Sequence, residues 1–178
     1  MSEIRTVMAT ITGISALLMH RFPTEPVNKI EMLTKEEQAE IAAYRDANEE
    51  LYVPGVAFTR ALVAGATYSK GKGRASLQKP VAACVIVTPE NLLIGAKEYD
   101  FDSRRVVNPS TKGAIIRHRP RIEAWSFDVE IEYDPTLVTE AQLRTVVDDT
   151  GLRVGLLDYR PATKGSFGRF RVDNWESA

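Results

Sequence analysis

The residues here with chemistry to offer are a large store of arginine and lysine, and two histidines. Three stretches, Arg60–Lys79, Arg104–Arg121 and Arg160–Arg171, hold 15 of the 23 Lys and Arg residues and no acid, in a chain with 24 acids and a net charge of -1. Cations sorted in this way are the footprint of a protein that holds a phosphate backbone. In the second stretch Arg117, Arg119 and Arg121 recur at period two, which puts them on one face of a strand. Their forked donors suit successive phosphates. Arg104, Arg105 and Lys112 belong to the same stretch, and His118 lies between its arginines, where it suits stacking or phosphate contact. Lys70, Lys72 and Arg74, then Lys164 and Arg169, would complete the track, and Phe167 is a candidate for stacking on bases. Each neutralised phosphate releases counterions, so binding is expected to depend on salt. The competing reading is that these are solvated surface loops.

Other chemistry is sparse. His20, in Leu18-Met-His-Arg-Phe22, is the one candidate general acid or base, with Arg21 and Tyr52 as possible neighbours. A histidine at a strand end more often serves as a hydrogen-bonded structural residue. Ser69-Lys-Gly-Lys-Gly-Arg-Ala-Ser76 lacks the spacing of a nucleotide-binding P-loop. Asp148-Asp149 sit at a helix end and point apart, and Asp100-Phe-Asp102 is the other acidic pair, so no metal or cofactor is expected. The single cysteine, Cys84, lies in the apolar run Val81–Val87, which excludes an intrachain disulfide and suits a buried thiol in the cytoplasm. Neither a secretory signal nor an apolar run of ~20 residues is present, so no membrane partner is expected.

The elements that must position these residues alternate along 178 residues with 44% hydrophobic composition, which suits one soluble domain. Val7–Ile14, continuing into Ala16–Met19, reads as a strand. The segment from about 21 to 50 leaves the core, and Thr34 with Glu37 forms a capping box that opens a peripheral helix. After Pro54-Gly55, Val56, Leu62, Val63 and Ala66 fall on helical spacing. Val81–Val87 and Asn91–Gly95 read as a buried strand or hairpin. From about 99 to 121 the chain has no core pattern, and the turn Asn108–Gly113 between Val-Val and Ile-Ile predicts a projecting basic hairpin. Ile122–Tyr133 alternates throughout and is the clearest strand. Thr139–Asp149 is a helix with Gly151 at its end, and Leu152–Leu157 and Phe167–Val172 supply the last short strand or pair. Without the two insertions the order is βαββαβ, the α+β ferredoxin-like order, in which two helices cover one face of an antiparallel sheet and the other stays open. One use of that open face is binding of single-stranded RNA, and Phe167-Gly-Arg-Phe-Arg-Val172 faintly echoes an RNA-recognition signature.

Three segments together resemble a family: Tyr52-Val-Pro-Gly-Val-Ala-Phe-Thr-Arg-Ala-Leu62, the basic insertion Arg104–Arg121, and the late loop from Gly155 to Phe170. They are similar to the strand, Pro-Gly and helix start, the thumb hairpin, and the C-terminal glycine-containing loop of the RAMP superfamily, and in particular to backbone subunits of CRISPR effector complexes. The chain departs from the family in carrying Val56-Ala-Phe-Thr59 where Ser-Ser-Leu-Lys is common, and it is short for such a subunit, which suits a minimal or phage-encoded relative. The resemblance implies a ferredoxin-like palm and a non-catalytic antiviral-defence protein that coats single-stranded RNA or DNA as a filament-like homo-oligomer. It also implies a narrower alternative, since some relatives are metal-independent endoribonucleases that use a histidine, the role His20 would take. A third reading is a structural or protein-interaction subunit, such as a phage assembly or inhibitor protein, with the acidic segment Glu25–Glu50 as its docking surface.

Overall fold

A computed structural model describes residues 3–27, 29–71, 73–108 and 110–178. Strand β1 (Arg5–Gly13) alternates as expected, with Val7, Ala9 and Ile11 buried. It is the second of four antiparallel strands in the order β9 (Phe170–Ser177), β1, β8 (Ser126–Tyr133) and β4 (Ile86–Thr88). Helices α2 (Gly55–Gly65) and α4 (Glu140–Asp149) bury Phe58, Leu62, Leu143, Val146 and Val147 in one core with the inward residues of the sheet. This is the ferredoxin-like arrangement read from the order of elements.

Local chemistry explains the element starts. Thr34 and Thr139 each close a capping box, with Glu37 and Gln142 respectively, at the N-termini of α1 (Lys35–Ala42) and α4. Before α2, β3 (Tyr52–Pro54) pairs with β5 (Asn91–Leu93). Proline presets the backbone just ahead of the helix, and Gly55 follows because a Cβ there would lie 2.9 Å from the Pro89 carbonyl oxygen. The peripheral helix is shorter than the charged segment suggests and buries only Gln38, Ala39 and Ala42.

A second sheet carries the insertion. β6 (Asp100–Val107) and β7 (Ala114–Ile122) form the expected hairpin, closed by a turn in which the Asn108 side chain accepts from the Ser110 amide. The first strand does not run on to Met19. It ends at Gly13, and a separate β2 (Leu17–Leu18) crosses to pair with β7, so the start of the chain joins the two sheets.

Three expectations are corrected. Val81–Val87 is mostly helix: α3 (Gln78–Cys84) takes Pro80 in its first turn and the helix-favouring pair Ala82-Ala83, leaving Ile86–Thr88 as strand. Cys84 is half-buried at the end of α3, and burial pushes its thiol pKa up. Gly151 does not end α4. The chain continues through a wider helical turn, Thr150–Val154, and stops at Gly155, whose φ is 70°. A side chain at 151 would meet the Phe170 carbonyl oxygen at 2.2 Å, so this glycine serves packing against β9. Leu152–Leu157 is therefore helical turn and loop, and β9 alone supplies the last strand.

Candidate nucleic-acid interface

Register across the hairpin decides which cations stand together. Arg104 lies opposite Arg117, Asp102 opposite Arg119, and Asp100 opposite Arg121. Period two then puts Arg104, Arg117, Arg119 and Arg121 on one face, with Asp100 and Asp102 among them. The other face carries Phe101, Ser103, Arg105, Val107, Ile116 and His118 by the same rule. Arg105 and His118 thus stand apart from the four arginines, and the His118 Nδ1 lies 2.7 Å from the Ser103 hydroxyl across the strands.

The late loop meets the arginine face. The Arg104 guanidinium stacks over Tyr159 at 5.1 Å and Phe167 at 4.8 Å from the ring centroids, while Arg121 lies 5.7 Å from Phe167. Arg104 also donates through Nε to both Asp102 carboxylate oxygens at 2.8 Å, and Arg121 pairs with Glu123 at 3.0 Å. Stacking holds a planar guanidinium in place while leaving some of its N–H donors free. Phe167 is itself only 6% exposed, so it floors the arginines and is closed to bases, which corrects the stacking expectation. Tyr159 and Asp158 carry the loop's role and escaped the reading of basic stretches, because both lie just before Arg160; an acid and an aromatic beside a glycine-ended turn were the available signal.

Arg119 departs furthest from expectation. It shares the face but is 6% exposed, donates to Asp158, and lies 4.0 Å from Asp102. It is a strut between hairpin and late loop, closed to an external phosphate. Asp158 is also met from the segment after β2, since the His20 Nδ1 approaches it at 3.5 Å. Burial would raise the Asp158 pKa, yet the hydrogen bond from His20 and the charge of Arg119 prevail and lower it to about 2.

The remaining cations are spread out. Lys112 closes the hairpin turn with φ 58°, and Lys164 follows a short helical turn in the late loop with φ 65°. Arg169 is exposed, its amide donating to the Ser15 hydroxyl at the start of β9. Lys70 and Arg74 are exposed on a loop whose Lys70 lies beside α4, and Lys72 lies outside the described residues. Asp148 and Asp149 each pair with an arginine one turn away, Arg144 and Arg153. Among the described residues no cluster of three or more His, Cys, Asp or Glu is placed to hold a metal, and no helix is long and apolar enough to cross a membrane.

The open face of the four-stranded sheet is acidic. Asp128, Glu130 and Glu132 project from β8, and Asp173 and Glu176 from β9, with Arg171 already paired to Asp173 at 2.6 Å. A phosphate backbone is repelled there, so the RNA-binding use of this face considered from the fold order is not the one this chain is built for.

No protein-family model matches the sequence, and no curated protein matches it. The fold is nevertheless shared with a solved structure. A chain of the type III-B Cmr-beta complex bound to cognate target RNA superposes over 98% of this chain, with a TM-score of 0.58 and 13% sequence identity. This chain spans 61% of the length of that one.

Proposed function

We propose that this protein binds single-stranded nucleic acid through the arginine face of its hairpin and the late loop packed against it. The observation that carries the reading is the pair of guanidiniums, Arg104 and Arg121, stacked on Phe167 within a strand ladder that also presents Arg117. Arg169 and Lys164 extend the cationic surface from the loop side, Lys112 from the hairpin tip, and Arg105 and His118 from its other face. Lys70 and Arg74, beside the helices, would reach a strand only where it continues past them, and Lys72 belongs to the same basic stretch of sequence. Arg119 acts by holding the geometry. RNA is favoured over DNA by the likeness to a chain of an RNA-bound complex. The role is non-catalytic, and several copies coat one strand, since acid and base are separated onto different faces and can meet between neighbours.

The test is binding of a fluorescent ~30-nucleotide RNA or DNA strand at two salt concentrations, for the wild type and Arg104→Glu/Arg117→Glu/Arg121→Glu. The expected result is wild-type binding whose log affinity falls with log salt at about -0.7 per phosphate contact, and loss of about a hundredfold or more in the variant. Stoichiometry along the strand then reads coating directly. Salt-independent binding, or equal binding by the variant, would sink the reading.

A further inference from the structure

A cavity of about 550 Å³ lies between α2, the His20 segment and the start of the late loop, and the phosphate track leaves it unused. Its size falls within the ~300–1,000 Å³ of small-molecule sites. Arg60 enters it from α2 and Arg160 from the loop, and among the described residues neither has a carboxylate partner. Arg160 is aimed by its own loop, donating through Nη1 to the Leu157 carbonyl at 2.7 Å. The one acid in the wall, Asp158, is committed to Arg119 and His20, so the cavity keeps a positive balance. The rest is apolar or aromatic: Val56, 58% exposed at the mouth, with Ala61, Leu157 and Tyr44.

The loop that shapes this cavity is held in an unfavourable backbone. Leu157 and Tyr159, on either side of Asp158, have φ of 57° and 51°, a left-handed conformation that non-glycine residues rarely adopt. That conformation turns Asp158 toward the hairpin and Arg160 into the cavity. The same loop therefore fixes both the arginine face and the cavity walls, which makes the two continuous through Asp158.

We infer that this cavity takes one nucleotide unit, its phosphate between Arg60 and Arg160 and its base against Val56, Ala61, Leu157 and Tyr44. A phosphate joined to a flat apolar ring is the chemistry that matches two guanidiniums without carboxylate partners among the described residues, beside an apolar wall. The inference rests on the nucleic-acid reading for its source: the occupant is one unstacked unit of the bound strand, and a free mononucleotide carries the same chemistry.

The experiment titrates the full chain with uridine monophosphate, adenosine monophosphate and inorganic phosphate by calorimetry, with and without saturating 30-nucleotide strand. Wild type, Arg60→Ala/Arg160→Ala, Arg60→Lys and the hairpin triple glutamate variant are compared, with thermal unfolding as the folding control. Saturable mononucleotide binding is expected, tighter than inorganic phosphate, weakened about tenfold or more in the double alanine variant and partly kept by Arg60→Lys, as for a lost charge-assisted hydrogen bond. Competition by the strand identifies the strand as the source, and additive binding identifies a free nucleotide. The hairpin variant losing the strand while keeping the mononucleotide retains this site even if coating fails. An absence of saturable mononucleotide binding by the wild type, or equal binding by a folded double alanine variant, overturns it.

Discussion

The open face of the sheet and the arginine face of the hairpin are built by the same period-two rule and carry opposite charge. On β8 the outward acids are Asp128, Glu130 and Glu132, and Asp128 accepts from the Thr10 hydroxyl at 2.6 Å. On the hairpin the same face carries four arginines with Asp100 and Asp102 among them, and three of the four arginines have partners within the chain: a ring, a carboxylate or both. The sheet acids are solvated charges whose effect is a diffuse field, screened within ~8 Å at physiological salt. The hairpin arginines are oriented before any ligand arrives, so less side-chain entropy is lost on binding. A net charge near zero thus conceals two surfaces, one that repels phosphate and one that, on the proposed function, receives it.

The sharpest break in that comparison is Asp158→Ala. A purely electrostatic view holds that deleting an acid beside a cationic face tightens nucleic-acid binding. Here the opposite is expected, because Asp158 is what ties Arg119, and with it the hairpin, to the late loop. Losing this partner leaves the buried Arg119 with Asp102, 4.0 Å away, and costs about 3 kcal/mol of stability, measurable by urea denaturation, and affinity for the strand falls with it. Tighter binding in a folded variant would defeat the strut assignment. The same pair sets a pH dependence. The folded-state pKa of Asp158 is about 2, below its ordinary value of ~3.9, so the stabilisation is fully present above pH ~4 and is lost as pH falls toward 2. The stability difference between wild type and Asp158→Asn should stay level from pH 7 to 5 and shrink only below about 4.

A smaller effect tests the stacked floor. Phe167→Leu keeps an apolar residue under Arg104 and Arg121 and removes the ring, costing about 1 kcal/mol of arginine orientation, as for a partly exposed cation–π contact. Strand affinity should fall about threefold to fivefold with the salt slope unchanged, since no phosphate contact is deleted. A change in slope would mean that Phe167 influences the number of contacts.

Much of this was legible in the sequence where the signal is local or periodic. Alternation in Ile122–Tyr133, the Thr34 and Thr139 capping boxes, and the turn chemistry of Asn108–Gly113 each act within a few residues, and the structure follows them. The period-two arginines likewise fell on one face. What stayed hidden depends on contacts distant in sequence: that Arg119 is buried follows from Asp158, 39 residues on, and that Phe167 is a floor follows from Arg104 and Arg121. The late loop was the least legible segment, since its path is set by left-handed residues such as Leu157 and Tyr159 that neither composition nor periodicity marks. Val81–Val87 misled because a short apolar run fits a buried helix as well as a strand.

The smallest expected effect bears most directly on which face is used. Asp128→Lys/Glu130→Lys adds four units of positive charge to the open sheet face. Were that face the site, a gain of this size would raise strand affinity by an order of magnitude or more and steepen the salt slope, as each new phosphate contact adds about -0.7. On the present assignment the new lysines stand on a different sheet from Arg104, Arg117 and Arg121, and exposed charges beyond a Debye length are screened. Affinity at physiological salt should change by about twofold or less, with any gain confined to low ionic strength, where the Debye length reaches ~30 Å. Measured beside the hairpin variant, this charge reversal separates a built site from the general attraction between a more basic protein and a polyanion, because general attraction does not depend on which face carries the charge.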